Sequence, residues 1–436
     1  MGAVNNMGDE DLGGGFILRR IGSADDVRRC AEFNSRYNNK MEGATYECLH
    51  MFHPGLRWDE SLYIENARSG EIAATVCLIP WEMDFDGVRL KTAQLEMVLA
   101  HPEYRKRGLA ERLIKRFMEG LAPAGYDVSI IWGIPYYYRK YSYTYCMYGN
   151  EYVTLPAADI PGADENTAGS GAPGNHFALR KAAGSDAPAL ANFYNNSVRC
   201  NGIYLKRDAE YWRYLIRDAR HPVYMIDAID CNNGRGNRTA GYIIYDQPSD
   251  KEIRIIECGV GNYADGLPVL QLLKKMCGGI IRIGGEMDGA LARLARSYGA
   301  VLEQKEQWLV RITDIPAFMM KIAPALEKRL ASSGCAGITS TLVINTYKKA
   351  YRLVISEGRL VSCGDIGFRD YSMGADGGDL CIPADALTRL IFGFRQLDQL
   401  IDAWPDIAVK KSARLLIDVL FPGVPAYINT PYHYLA

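Results

Sequence analysis

Residues 95–100 form a short apolar run closed by Pro102, and beyond it Leu109, Leu113 and Phe117 recur at a spacing of four. The run predicts a buried strand and the spacing one face of an amphipathic helix. Upstream, residues 16–20 read as a first strand, and Ser23-Ala24-Asp25-Asp26 as a helix cap leading into 27–37. Residues 57–70 predict a loop and a strand. Strands at 72–81 and 88–99 flank Asp84-Phe85-Asp86-Gly87, whose Asp-Gly pair signals a hairpin. A further apolar strand is expected at 128–132.

Residues 156–175 shift to Pro, Gly, Ala, Asp and Ser without periodicity, which predicts a linker or long exposed loop. A similar order then returns: a short strand at 177–179, helices at 186–200 and 208–217, strands at 223–228, 241–245 and 253–259, and a helix at 267–276. Gly234-Arg235-Gly236 follows Asn232-Asn233 between two of these strands and reads as a hairpin turn rather than a phosphate loop. From 311 on, the pattern predicts a helix at 315–330, strands at 341–344, 350–357 and 359–363, and a helix at 383–404. Leu387, Leu390, Ile391, Phe394, Leu397 and Ile401 lie on one stripe of the last helix.

A chain of 436 residues exceeds the size at which one core keeps growing, so several domains are expected. A net charge of −1 gives no support to nucleic-acid binding. Eleven cysteines without a C-x-x-C pair argue against a disulfide framework, so a cytoplasmic setting is expected. The glycine-rich N-terminus lacks the apolar core of a signal peptide, and no run approaches the about 20 apolar residues of a membrane span. Six dispersed histidines, the closest pair being His50 and His53, point to no metal site.

The candidate chemistry lies between the 95–100 strand and the Leu109 helix, at Arg105-Lys106-Arg107-Gly108-Leu109-Ala110-Glu111. A glycine turn there aims unpaired backbone N–H groups and the positive end of the helix dipole at one spot, which suits a pyrophosphate. Gly108 and Ala110 let a ligand approach, and the basic neighbours add charge. Lys115 and Arg116 read as a solvated helix face.

Arg105-x-x-Gly108-x-Ala110 after His101-Pro102-x-Tyr104 resembles the coenzyme A signature of the GCN5-related N-acetyltransferase (GNAT) fold. Tyr137-Tyr138-Arg139-Lys140-Tyr141-Ser142-Tyr143 resembles its second signature, with Ser142 where glycine is usual. The second half keeps the order of elements but has no Arg-x-x-Gly-x-Ala at 259–270, and 386–397 resembles a sterol-carrier-like domain. Together with Tyr211-Trp212 and the closing Phe421-Pro422 and Pro425, these features resemble the Eis (enhanced intracellular survival) acetyltransferases. The expected fold class is α/β (α+β): tandem GNAT-like domains with mixed sheets plus a C-terminal sterol-carrier-like domain. The boundaries expected are 1–155, a linker or loop at 156–175, a degenerate second domain at 176–310, and 311–436.

The resemblance implies acetyl transfer from acetyl-CoA, without a metal, to an aminoglycoside, polyamine, lysine or other small amine. It also implies a homo-oligomer, a hexamer among the sizes open. Val98, Leu99 and Ala100 would pair with the pantetheine arm, Gly133 and Ile134 would line its other side, and Tyr138 would protonate the thiolate. The base has two candidates. Glu96 would share a strand face with Val98 under strict alternation, whereas the family resemblance implies the terminal carboxylate of Ala436. Trp81, Glu82 and Met97 could line the pocket or be ordinary strand packing. The rival reading is a lipid or sterol carrier on a non-catalytic GNAT scaffold.

Overall fold

The computed structural model describes residues 9–162, 176–217, 222–229, 238–370 and 377–430. The expected turn at 234–236, most of the expected loop, and Ala436 lie outside them. The chain forms two compact units, one of 9–147 with 308–426, the other of 148–307 with the tail from Tyr427.

The first unit opens with β1 (Glu10–Asp11), β2 (Phe16–Arg20), α1 (Ala24–Tyr37), α2 (Lys40–Phe52), β3 (Leu62–Asn66), β4 (Ile72–Phe85), β5 (Val88–Ala100), α3 (Leu109–Leu121) and β6 (Val128–Ile131). Ser23 caps α1 through its hydroxyl, as its sequence position predicts. Gly43 permits close packing of α2 on α1, since a Cβ there would come within 2.5 Å of the Ala31 carbonyl oxygen. The hairpin joining β4 and β5 puts Asp86 and Gly87 at φ of +51° and +91°, the left-handed pair that a two-residue turn needs. The strands run in the order β1-β2-β3-β4-β5-β6. Leu109, Leu113, Ile114, Phe117 and Leu121 of α3 pack on this sheet and build its core.

The chain leaves through β7 (Thr144–Pro156). The second unit holds β8 (His176–Lys181), α4 (Ala187–Val198), β9 (Ile203–Leu205), α5 (Ala209–Arg217), β10 (Val223–Ile229), β11 (Arg238–Ser249), β12 (Glu252–Val260), α6 (Gly266–Met276), β13 (Ile280–Gly284) and α7 (Ala290–Ser297). Its strands follow the order β7-β13-β12-β11-β10-β8, with β12 and β13 parallel.

β14 (Val301–Ile312) returns the chain to the first unit, where it pairs antiparallel with β6. There follow α8 (Ile315–Lys321), α9 (Ala323–Ala331), β15 (Ser340–Asn345), β16 (Ala350–Ser356), β17 (Arg359–Asp365), β18 (Leu380–Cys381), α10 (Ala384–Ile391), α11 (Leu397–Ala403), β19 (Ala408–Val409) and α12 (Lys411–Leu420). The five strands form a sheet of order β17-β16-β15-β18-β19.

Two helices expected to be continuous here are broken. The 315–330 helix stops at Ile322, because Pro324 lacks the N–H and its ring would clash with the preceding turn. The 383–404 helix stops before Gly393, which takes φ of +64° and sits so close to the chain at Val424 that a Cβ would come within 2.5 Å of its nitrogen. The β4–β5 hairpin explains why this segment joins the first unit. Phe85 packs edge-on against Phe318 and Phe392, and Arg329 binds both the Asp86 carboxylate and the Leu420 carbonyl.

Candidate active site

β5 and β6 are parallel neighbours only at Thr92–Val128, Ala93–Ser129 and Gln94–Ile130. On its other edge β5 stays paired with β4 as far as Ala100. From Leu95 to Ala100, therefore, β5 has left β6 while still held on β4, and Val98, Leu99 and Ala100 lie along this split. An extended chain can add to such an edge through main-chain hydrogen bonds.

A bulge accompanies the split. Thr75 and Cys77, two residues apart, face Leu99 and Glu96, three residues apart, and Met97 absorbs the extra residue at φ of +50°. The bulge reverses the facing of everything beyond it. Ala93 and Leu95 before it and Val98 and Ala100 after it all meet the core under α3. The expectation that Glu96 shares a face with Val98 is thus overturned, because strict alternation does not survive Met97. Glu96 faces the other way with Gln94, whose amide donates to Glu96 Oε2 at 2.6 Å and accepts from Trp81 Nε1 at 2.8 Å. Trp81 is buried strand packing that orients this relay, and Glu82 pairs with Arg89 at 2.9 Å.

The turn after β5 carries the second feature. Lys106 and Gly108 take φ of +63° and +76°, and Gly108 is the N-cap of α3 with no side chain satisfying the first N–H groups. A Cβ on Gly108 would meet nothing within 4 Å, so the space above the helix end is open. Arg105, Lys106 and Arg107 are exposed around it, and the Arg107 guanidinium sits 5.5 Å from the Tyr104 ring centre. Leu109 is buried under the turn, while Ala110 and Glu111 begin the helix. The Lys115 ammonium, 2.9 Å away, holds the Glu111 carboxyl below its usual range. An anion at this point would meet free N–H groups, the helix dipole and cationic side chains together.

Tyr138 lies in the 3-10 turn Tyr137–Tyr141. Ser142 ends that turn at φ of +65°, the conformation glycine adopts freely and one that costs another residue about 1–2 kcal/mol. The expected glycine position is therefore real in the backbone, although serine fills it. The Tyr138 ring lies directly on Gly133, where any Cβ would overlap it. Neighbouring Ile134 is 64% exposed. Burial, and secondly the charge of Glu96, push the Tyr138 phenol well above its usual pKa, so it keeps its proton at any working pH. Gly133, expected to line the pantetheine arm, is the residue on which the Tyr138 ring sits.

The second unit has the same split with different contents. β12 and β13 are parallel neighbours from Glu252–Ile280 to Ile255–Ile283, and β12 bulges between Ile255 and Glu257. Its helix entry, however, is filled by the chain: Asn262 caps the 3-10 turn Tyr263–Asp265 that runs into α6, the Gly266 N–H bonds to the Tyr263 carbonyl, and the Asp265 carboxylate pairs with Arg238 at 2.7 Å. Beyond the split, fully buried Arg207 grips Glu257 with two bonds of 2.6 and 3.0 Å and donates to the Asn429 carbonyl at 2.9 Å. Asn429 in turn donates to Glu257 at 2.6 Å, and Tyr242 adds a bond of 2.9 Å. No spacing along the chain signals this clamp, which joins residues 50 and 172 positions apart.

Comparison with known proteins agrees with this geometry. Residues 21–146 match the family model described as acetyltransferase (GNAT) domain. No curated protein matches the chain. Among solved structures, a GCN5-related N-acetyltransferase from Anabaena variabilis superposes with a TM-score of 0.67 at 16% identity, over 95% of this chain and 99% of that one. A conserved protein from Enterococcus faecalis, described as a probable N-acyltransferase, gives 0.70 at 15% identity with the same coverage. Eis1 from Mycobacterium abscessus gives 0.62 at 16% identity, again over 95% and 99%. The chain shares the fold of these proteins along nearly its whole length, and residues 21–146 are the part that matches the acetyltransferase (GNAT) domain model.

Proposed function

We propose that this chain is an N-acetyltransferase of the Eis type, moving the acetyl group of acetyl-CoA to an amine. The observation that carries the reading is the β5–β6 split opening beside an uncapped helix end at Gly108. The pantetheine arm would lie along Val98–Ala100, with its pyrophosphate on the N–H groups of residues 108–111. The backbone N–H groups of the split would polarise the thioester carbonyl. Tyr138 would donate a hydrogen bond to the departing thiolate. Its phenol sits above the pKa of an ordinary thiol, near 8.5, so donation rather than complete transfer is its favoured service.

The base that takes the amine proton is either Glu96 or the terminal carboxylate of Ala436. Glu96 is supported by its relay with Gln94 and by its electrostatic reach to Tyr138. The terminus is supported by the sequence features that resemble the Eis acetyltransferases, among them Tyr211-Trp212 and the closing Phe421-Pro422. The sequence resemblance to the Eis acetyltransferases carries the rest of the proposal: domains with borders near 155, 175 and 310, a sterol-carrier-like last domain, and a homo-oligomer. The acceptor class stays aminoglycoside, polyamine, lysine or small amine. Among the described residues no helix is long and apolar enough to cross a membrane. Nothing in the site favours the lipid-carrier reading.

Titration calorimetry with acetyl-CoA tests the proposal, followed by an amine screen read as thiol release. Micromolar binding with amine-dependent thiol release is expected; absence of binding overturns it.

A further inference from the structure

The 3-10 turn that carries Tyr138 has a second side. There, Tyr137, Arg139 and Lys140 form one wall of a cavity of about 1,090 Å³, closed by the end of β14, the β15–β16 turn and the start of α10. Residues 105–111 do not line it. It is large enough for a ligand of drug or nucleotide size.

Its charges do not cancel. Arg139, Lys140, Arg311, Lys348 and Lys349 face Asp314, Asp365 and Asp385, five cations against three carboxylates. The carboxylates are engaged: Asp365 pairs with Lys349 at 2.8 Å, Asp314 caps α8 through the Ala317 N–H, and Asp385 lies 3.9 Å from Arg139. Arg311 is different. Its Nη1 is buried without a hydrogen-bond partner, it has no acidic partner among the described residues, and burial lowers its pKa. The neighbouring Tyr143 phenol is pushed up to about 12 by burial, so it stays protonated and supplies no counter-charge. A guanidinium taken from water with no counterion is costly unless an anion arrives. Lys348, exposed and without an ion pair among the described residues, stands in the same wall, and Tyr137, Tyr347 and Tyr351 offer flat surfaces.

The geometry points to a second ligand site here, for a small organic anion with a planar body, held by Arg311 and Lys348. A phosphate or carboxylate would complete Arg311, and an aromatic ring would stack on tyrosine. Because its wall is the turn that seats Tyr138, occupancy would also be felt at the candidate active site. Binding does not depend on the transferase reading, so the two stand or fall separately.

The test is calorimetric titration of the full chain, saturated with CoA, with inorganic phosphate and with AMP as probes. Saturable binding of AMP, tighter than phosphate, is expected, with Lys348→Ala and Arg311→Gln each weakening AMP about tenfold or more while acetyl-CoA affinity stays unchanged. Lys348 is exposed, so its substitution tests the site even if Arg311→Gln fails to fold. Saturable binding of neither probe at about 10 mM, roughly the weakest affinity of interest, would overturn the proposal, as would unaltered binding by Lys348→Ala. Competition between AMP and CoA would also overturn it, by making the cavity an extension of the cofactor site.

Discussion

The two parallel strand splits share a backbone and differ in everything that a phosphorylated thioester would touch. In the first, β5 leaves β6 after Gln94, the helix end at Gly108 is uncapped, and the space above it is open. In the second, β12 leaves β13 after Ile255, but a carboxylate already sits at the helix end and a salt bridge anchors the tail beyond the split. A bulge next to the split occurs in both, so the fold alone opens the strands. What separates a ligand site from a structural joint is whether the exposed N–H groups and charges are left free or satisfied within the chain. In the second unit the chain supplies its own tail as partner.

The largest effect should come from breaking the closed split. Glu257→Ala strands the buried Arg207 guanidinium and should cost about 3–5 kcal/mol, read as a lower denaturation midpoint of the second unit. Loss of less than about 1 kcal/mol would mean that the clamp is no anchor.

In the open split, Tyr138→Phe keeps the ring on Gly133 and removes the donor. Turnover should fall about 10²-fold with acetyl-CoA affinity nearly unchanged, whereas Tyr137→Phe should do little. Glu96→Gln and removal of Leu435-Ala436, compared at equal stability, then assign the base: whichever loses more turnover removed it.

Acid should separate the two units. Burial lowers His50 to about 4 and His53 to about 3, so both stay neutral when folded. His50 Nδ1 faces the Tyr46 carbonyl at 2.8 Å and so carries the proton, leaving Nε2 to accept from Ser61. Their unfolded forms take up protons below about pH 6.5, so stability falls as pH drops toward their folded values, by about 2 kcal/mol for His50 at pH 5. In the second unit burial raises the Glu286 pKa, which works the other way, adding stability as pH falls. Unfolding at pH 5 followed by hydrogen exchange should therefore show the first unit opening earlier. Equal protection would count against these assignments.

The smallest effect sharpens the contrast at the helix ends. Gly108→Val forces a branched residue into a left-handed conformation and fills open space, so acetyl-CoA should bind about tenfold weaker or less tightly still. Thermal stability should drop by about 1–2 kcal/mol. Unaltered affinity would place the pyrophosphate elsewhere.

The sequence by itself determined the local elements. The apolar run at 95–100, the Arg105 to Ala110 turn, the Asp86-Gly87 hairpin and the Leu109 face all appear where their spacing predicts, because each depends on neighbours a few residues apart. The special conformation at Ser142 was also legible, as the place where glycine is usual. Tertiary structure decided what depends on distant partners. The bulge at Met97 turned Glu96 away from Val98, Pro324 and Gly393 divided two helices, and the tip at Phe85 brought 308–426 into the first unit. The Arg207, Glu257 and Asn429 clamp joins three separate stretches through a buried charge, and no periodicity records that choice. Such contacts are fixed by desolvation and close packing between residues remote in sequence, and a one-dimensional pattern carries neither.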